Sequence, residues 1–328
     1  ARGTTHILPR ETTMVRVTLD IFSGRPNPSW VLDEREAREV LRELAAQRDT
    51  LSSADEDRGV LGFRGLIVEV DEGGEGGGLE LPQRFRIAGG QSGNEWKGVE
   101  IADRLLAGMG RPFPATGLPT SVGMYDDLDL RRLAREGLQG VEGSASALSG
   151  NAAPGDVSAQ AGAPVIGTDA SSWSTLTAGA CQYEASAFNP DFWNSRRTTM
   201  RSNNCYNYAS NRRTDTFAQP GRATGAQATV MACSNVTAGA VSDGAVQAPN
   251  CAASGSPRHY MALVIWPGTD YHWYRRHSDG FWGHKPGQTA ARNYDNSNNV
   301  IYDPQTANRG GYTSFCGYFF GPSGMVIS

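Results

Sequence analysis

The chain is organised around the stretch Ser202-Asn203-Asn204-Cys205-Tyr206-Asn207-Tyr208-Ala209. Asparagine is a preferred residue at the start of a helix, so this pattern predicts a helix with Cys205 in its first turn. Unpaired backbone N–H groups and the positive end of the helix dipole stabilise a thiolate at that position. Because the thiolate is the reactive form of cysteine, the stretch predicts a nucleophile or a metal ligand.

A second stretch, Arg258-His259-Tyr260-Met261-Ala262-Leu263-Val264-Ile265-Trp266, has the pattern of a buried strand. His259 opens its run of mostly apolar residues, and the turn Pro267-Gly268 ends it. We expect this strand to form a hairpin with residues 271–276. A base fixed at a strand end can meet a nucleophile fixed at a helix start, so the two stretches together predict a Cys205–His259 pair.

In the chain order and placement of these two elements, residues 180–285 resemble the papain-like cysteine peptidases and amidases, including their bacterial cell-wall-cleaving branches. The Gly-Ser-Cys-Trp signature of the papain nucleophile is absent, and Asn204-Cys205-Tyr206 stands in its place. The resemblance implies a papain-like α+β domain with an antiparallel sheet, and a peptide or amide substrate with cell-wall peptide among the candidates. It also implies that Cys205 attacks the carbonyl to form an acyl-thioester, while His259 transfers the proton.

The residue that orients His259 depends on the length of the hairpin loop. A two-residue loop at Gly268-Thr269 places His272 on the same face as His259, whereas a three-residue loop places His277 and Asp279 there. The resemblance implies that the third residue comes from the strand after the histidine, and some cell-wall branches use a second histidine. We therefore expect His272 to hold His259. The alternatives for this role are His277, Asp279 and His284.

Four histidines lie within one short stretch, so a metal site is the competing chemistry. It would use several imidazoles with Asp270 or Asp279. The histidine spacings match no two-histidine helical metal motif, and a strand turns alternate residues to opposite faces. The predicted site is therefore Cys205, His259 and His272, with no metal and no cofactor.

All five cysteines lie in the C-terminal part of the chain, at positions Cys181, Cys205, Cys233, Cys251 and Cys316. Their concentration in a polar, loop-rich region suits an exported, oxidised protein, so we expect a secreted or periplasmic location. An odd number leaves at least one cysteine unpaired. We expect bridges between Cys233 and Cys251 and between Cys181 and Cys316, which leave Cys205 free. Arginine greatly outnumbers lysine, which indicates a GC-rich bacterial genome.

The pattern of residues 14–140 predicts a small α+β domain that contains no cysteine. Residues 15–21 alternate as a half-buried strand, and residues 65–70 and 83–87 are expected to pair. Asp33 and Glu36 form a capping box at the start of an amphipathic helix. A second helix is expected from about Val99 to Leu106. No cluster of catalytic residue types marks this domain.

Residues 141–170 are rich in Ala, Gly and Ser, the composition of a linker, and separate this domain from a catalytic domain at 171–328. The first domain has an excess of acidic residues and the second an excess of basic residues. Opposite charges favour docking of the N-terminal domain on the C-terminal one, and two unrelated solvated surfaces are the alternative. We interpret the N-terminal domain as an inhibitory pro-region or as a targeting module.

The sequence also argues against several classes of function. It has no apolar run of eighteen residues, no glycine pattern for nucleotides and no basic stripe for nucleic acid. The alternative to a thiol hydrolase is a secreted, disulfide-stapled, non-enzymatic protein that holds glycan or peptide with its tyrosines and tryptophans. Six aromatic residues are candidates for a cleft wall or for core packing: Trp266, Tyr271, Trp273, Tyr274, Phe281 and Trp282.

Overall fold

The computed structural model describes residues 14–55, 59–71, 79–89, 98–109, 129–145, 169, 173–251 and 255–328. Helices and antiparallel sheets form an α+β fold, as predicted from the sequence. The chain divides into two compact units. The first holds residues 14–20, 27–55 and the described residues between 63 and 145. The second holds residues 21–26, 59–62, 169 and the described residues from 173 onward.

The first unit is built on a five-stranded antiparallel sheet with the strand order β2-β1-β4-β5-β3. Its strands are β1 (Val15–Asp20), β2 (Ser29–Val31), β3 (Ser52–Ser53), β4 (Gly65–Val70) and β5 (Arg84–Ile87). Its helices are α1 (Glu34–Ala46), α2 (Val99–Gly108) and α3 (Leu130–Ala145). Alternate residues of β1 are fully buried, and the Asp33 side chain caps α1 by accepting from the Glu36 backbone N–H. The predicted strands and both predicted helices are therefore confirmed.

The second unit is built on another five-stranded antiparallel sheet, with the order β11-β10-β9-β12-β8. Its strands are β8 (Val246–Gln247), β9 (Arg258–Trp266), β10 (Asp270–Arg276), β11 (Trp282–His284) and β12 (Ser314–Pro322). A separate hairpin joins β6 (Trp173–Ala178) to β7 (Cys181–Ser186). The helices are α4 (Asp191–Asn194), α5 (Arg197–Ser202), α6 (Cys205–Ala209) and α7 (Cys233–Ser242). The predicted hairpin of β9 and β10 is confirmed.

The two faces of this second sheet bury different clusters. One face carries Leu263 and Trp273 in a cluster that also includes residues of α6 and α7. The opposite face carries Val264 and Tyr274 in a second cluster. Because side chains alternate between faces along a strand, neighbouring residues of β9 and β10 belong to different clusters. This alternation decides which residues can meet Cys205.

The segments 21–26 and 59–62 belong to the second unit, although they lie within the predicted N-terminal domain. Helix α3 ends at Ala145, five residues beyond the predicted end of that domain. Most of the predicted linker at 141–170 falls outside the described residues, as does the glycine-rich stretch 72–78. Among the described helices, none is long and apolar enough to cross a membrane.

Candidate functional site

Cys205 is the first residue of α6, as the sequence predicted. The Asn204 side chain accepts from the backbone N–H groups of Tyr206 at 3.0 Å and Asn207 at 3.2 Å. The Asn207 side chain accepts from the Asn204 backbone N–H at 3.1 Å, which completes a reciprocal cap. The Asn204 amide also donates to the carbonyls of Gly24 at 2.9 Å and Ala218 at 2.7 Å. These bonds fix the helix start and therefore the position of Cys205.

The thiol of Cys205 is fully buried in the cluster that contains Leu263 and Trp273. Burial raises its pKa well above the ordinary value, and the negative charge of Asp270 raises it further. The backbone N–H of Trp273 and the positive charge of Lys285 oppose this effect without offsetting it. The group is therefore a neutral thiol at neutral pH, the unreactive form of cysteine.

Asp270 supplies that negative charge, and it also anchors the segment 21–26. Its carboxylate accepts from the backbone N–H groups of Ser23 at 2.7 Å, Arg25 at 2.9 Å and Gly24 at 3.1 Å. The Tyr312 hydroxyl donates to it at 2.6 Å. A carboxylate that accepts several hydrogen bonds from backbone N–H groups holds a loop in place. We therefore assign Asp270 a structural role.

Lys285 is buried beside the residues that precede α6. Its ammonium donates to the carbonyls of Asn203 at 2.5 Å and Gly287 at 2.7 Å, and also to that of Met200. Asn203 directly precedes the capping Asn204, so the ammonium is held close to α6. This geometry explains why Lys285 acts on the pKa of Cys205 through its charge.

His259 lies near the start of β9 and is buried. Its ring stands 5.1 Å from the ring of Trp173, and its Nδ1 has no hydrogen-bond partner among the described residues. Burial lowers its pKa to about 3, and the positive charge of Arg275 contributes to that shift. The imidazole is therefore neutral at neutral pH.

Cys205 and His259 lie on the same face of the sheet but are separated along it. Cys205 is next to Trp273, and Trp273 is directly opposite Leu263. His259 precedes Leu263 by four residues, which is roughly 13 Å along a strand. Among the described hydrogen bonds none joins Cys205 to His259. The structure thus places both residues as the sequence predicted and does not bring their side chains together.

The expected two-residue hairpin loop is wrong, and His272 therefore lies on the opposite face of the sheet from His259. Trp266 pairs with Asp270, which leaves a three-residue loop in which Gly268 has a φ of 68°. With that register His272 pairs with Val264. The Val264 side chain belongs to the cluster that does not contain Cys205. The His272 Nε2 is bonded to His284 Nδ1 at 2.8 Å. His272 therefore contacts neither member of the predicted pair.

The other candidates for orienting His259 also have different partners. The His277 ring is bonded to the Tyr208 hydroxyl at 2.7 Å, and Asp279 accepts from the Phe188 backbone N–H at 2.7 Å. His284 Nε2 is bonded to the Tyr294 carbonyl at 2.9 Å. Within the described part of the chain, no group of three or more His, Cys, Asp or Glu residues could hold a metal ion.

Both predicted disulfide pairings are wrong, although Cys205 is free as expected. The bridges join Cys181 to Cys251 and Cys233 to Cys316. Each pair has a Cα–Cα distance that suits a bridge, 5.2 Å and 5.3 Å respectively. The first connects β7 to the loop after β8, and the second connects α7 to β12. The sequence favoured closing one small loop, whereas the fold joins elements that are distant in the chain.

On the sheet face opposite α6, residues of β9 to β12 form a group with Tyr183 of the hairpin strand β7; apart from Trp282, the sequence did not single these residues out. We call Tyr183, Tyr260, Trp282, Tyr318 and Arg276 the aromatic surface. Ring centroids are 5.0 Å apart for Tyr183 and Tyr260, 5.2 Å for Tyr260 and Tyr318, and 5.6 Å for Trp282 and Tyr318. Tyr260, Tyr318 and Arg276 are partly exposed. Tyr260 and Arg276 share a face only with the three-residue loop, and the sequence did not determine that loop length.

Comparison with known proteins finds similarity to one relative over part of the chain. The chain is 44% identical over 142 residues to "Insoluble matrix shell protein 1" of Ruditapes philippinarum. The similar region is 42% of this chain and 93% of that relative. No family model and no solved structure matches the chain.

Proposed function

This chain belongs to the family of insoluble matrix shell protein 1, and on that premise we propose that it is a secreted, non-catalytic protein that binds a polymer of an extracellular matrix. The name of the relative describes a protein of an insoluble matrix. A matrix-binding role for this chain requires a stable fold outside the cell and a surface that binds the matrix polymer. It requires no reactive thiol.

The burial of the Cys205 sulfur is the observation that carries this proposal. The thiol is fully buried among apolar side chains, and its pKa is raised well above the ordinary value by that burial. A nucleophilic cysteine needs the thiolate and access to substrate. Neither the exposure nor the protonation state of Cys205 meets that need, so we infer that its side chain packs the core.

Two disulfides support the extracellular part of the proposal. The Cys181–Cys251 and Cys233–Cys316 bridges tie β7 and α7 to distant parts of the second unit. Disulfides persist in oxidising compartments and are rare in the cytosol. The two bridges therefore suit a protein that works outside the cell.

Alkylation of the native protein tests the proposal. Iodoacetamide is applied to the oxidised protein at pH 7.5 with and without denaturant, and the modified residue is mapped by mass spectrometry. We expect Cys205 to react at least about a hundredfold more slowly in the native protein, because the reagent must wait for local opening. Fast labelling of native Cys205 would overturn the proposal, and the denatured sample shows that the reagent is active.

A cysteine hydrolase is the second candidate, since Cys205 is the one cysteine outside both disulfides and lies at a capped helix start. In this hypothesis Cys205 attacks the carbonyl of a peptide or amide, and His259 accepts the thiol proton and returns it to the leaving amine. The sheet would have to rearrange to bring the two side chains together. An electrophilic peptide probe should then label Cys205 in the wild type and not in His259→Ala.

A further inference from the structure

Three phenol groups and one guanidinium converge on the aromatic surface. Arg276 pairs with Trp282 across β10 and β11, and its guanidinium carbon lies 5.9 Å from the centre of the Trp282 ring. Continuing the β9–β10 register places Arg276 opposite Tyr260. The positive charge of Arg276 lowers the pKa values of Tyr183, Tyr260 and Tyr318, so all three phenols are within its electrostatic reach.

Arg276 carries a cationic group that has no carboxylate partner among the residues that the structure describes. Its guanidinium donates to the Gly280 carbonyl, and no described carboxylate forms a salt bridge with it. The neighbouring Arg258 differs, because its guanidinium lies 4.0 Å from the Glu184 carboxylate. Since Arg276 is also partly exposed, its charge is available to a ligand that approaches this face.

The tyrosines of the aromatic surface remain hydrogen-bond donors at neutral pH. Burial raises the pKa of Tyr260 to about 12, and burial with the negative charge of Asp303 raises that of Tyr318 to about 12. Burial also raises the pKa of Tyr183. The partly exposed Tyr260 phenol can therefore offer an O–H group beside the N–H groups of Arg276, whereas the Tyr318 hydroxyl already donates to Asp303.

We propose that the aromatic surface binds the sulfate or carboxylate groups of an anionic polysaccharide. A guanidinium matches the paired oxygens of such groups, and phenol hydroxyls add further donors. The partly exposed rings of Tyr260 and Tyr318 supply apolar contact for the face of a sugar ring. A polymer with charged groups along its length satisfies both features at once. This inference rests on the proposed function and names the class of its ligand.

Affinity measurements with three soluble polymers test the inference. Dextran sulfate, uncharged dextran and poly-L-glutamate are titrated into the full-length oxidised protein at 150 mM salt, and binding is followed by tryptophan fluorescence and by calorimetry. We expect dextran sulfate to bind and dextran not to bind. Arg276→Gln should weaken the binding of dextran sulfate about tenfold, because a charge-assisted hydrogen bond is lost. Tyr260→Phe should weaken it severalfold, because the O–H group offered to the ligand is lost.

Arg197→Gln is the matched control. Arg197 is exposed in α5, and its replacement by Gln changes the net charge by the same amount as Arg276→Gln. This variant should leave the affinity within about twofold, because Arg197 is not part of the aromatic surface and salt screens exposed charges. Equal losses in both variants would overturn the inference, since binding would then follow net charge alone. Tighter binding of poly-L-glutamate would overturn it in favour of an acidic polypeptide. If no polymer binds while Cys205 stays unreactive, the inference fails and the non-catalytic proposal is not affected.

Discussion

The imidazole of His272 is hydrogen-bonded to that of His284, with Nε2 and Nδ1 2.8 Å apart, on the sheet face opposite Cys205. Both rings are buried, and the Tyr274 ring stacks on His284 with centroids 5.2 Å apart. Burial lowers the pKa of His284 to about 3, so this ring is neutral at neutral pH. The pair is thus part of the hydrogen-bonded core, and its position argues for a structural role.

Replacing His272 should therefore destabilise the fold without changing the reactivity of Cys205. His272→Ala removes a buried ring and leaves His284 without this partner, which should cost about 3 kcal/mol of unfolding free energy. Urea denaturation measures that loss. The alkylation rate of Cys205 is then compared under conditions where both proteins are folded. A change in that rate with the stability unchanged would contradict the structural role.

Acid should destabilise the protein through His259. Its pKa is about 3 in the folded chain, lowered by burial and by Arg275, against about 6.5 in an unfolded chain. The unfolded state therefore binds a proton that the native state does not, so stability is present above pH 6.5 and falls as the pH falls toward 3. Within that window, one such histidine lowers the free energy of unfolding by about 1.4 kcal/mol for each unit by which the pH falls.

The contribution of His259 is isolated by comparison with His259→Gln. Unfolding free energies are measured between pH 7.5 and pH 4.5, and the variant should lose less stability across that range than the wild type. Carboxylates that begin to titrate near pH 4.5 do so in both proteins, so their contribution cancels in the comparison. Identical pH profiles would mean that His259 gains a proton in the folded protein at an ordinary pH.

A buried charge cluster should dominate the stability of the first unit. Asp20 accepts from Arg64 at 2.7 Å and from Arg86 at 2.7 Å, and all three side chains are almost fully buried. Asp20→Asn leaves two guanidinium groups without their counter-charge, which should cost about 3–5 kcal/mol. Asp103→Asn is the matched control, because its bond to Arg135 is half exposed and should contribute under about 1 kcal/mol. Thermal and urea unfolding of the two variants would show equal losses if the cluster were unimportant.

Local patterns in the sequence were sufficient to predict these helices and strands and the position of Cys205 at the start of a helix. Alternation predicted β1, an acidic cap predicted the start of α1, and two asparagines predicted the start of α6. Each of these signals lies within a few residues of the feature it specifies. The odd number of cysteines required at least one unpaired cysteine, but it did not identify Cys205 as that residue.

The contacts of the site depended on register, which the sequence did not determine. One residue more in the loop after Trp266 turns His272 to the other face of the sheet. Disulfide pairing depended on which distant elements become neighbours, as with Cys233 in α7 and Cys316 in β12. The aromatic surface joins Tyr183 to Tyr318, residues from opposite ends of the second unit. No local pattern could place such residues side by side.

The carboxylate of Asp303 should limit how tightly the aromatic surface holds an anion. The Tyr318 hydroxyl donates to it at 3.1 Å, so its negative charge lies at the edge of the proposed site. Asp303→Asn keeps an oxygen acceptor for Tyr318 and removes the charge. The affinity for dextran sulfate should rise about threefold at 150 mM salt, because a like charge is taken away from a partly screened site. Asp191→Asn, an exposed change in α4, provides the matched control and should have little effect.

The same variant offers a readout that is independent of any ligand. The negative charge of Asp303 contributes, after burial, to the raised pKa of Tyr318. Removing that charge should lower the pKa of Tyr318 from about 12, and an ultraviolet titration of the phenols would detect the change. A lowered tyrosine pKa with no gain in affinity would place Asp303 beside Tyr318 but outside the binding site. A fall in affinity would contradict the proposed electrostatics of the aromatic surface.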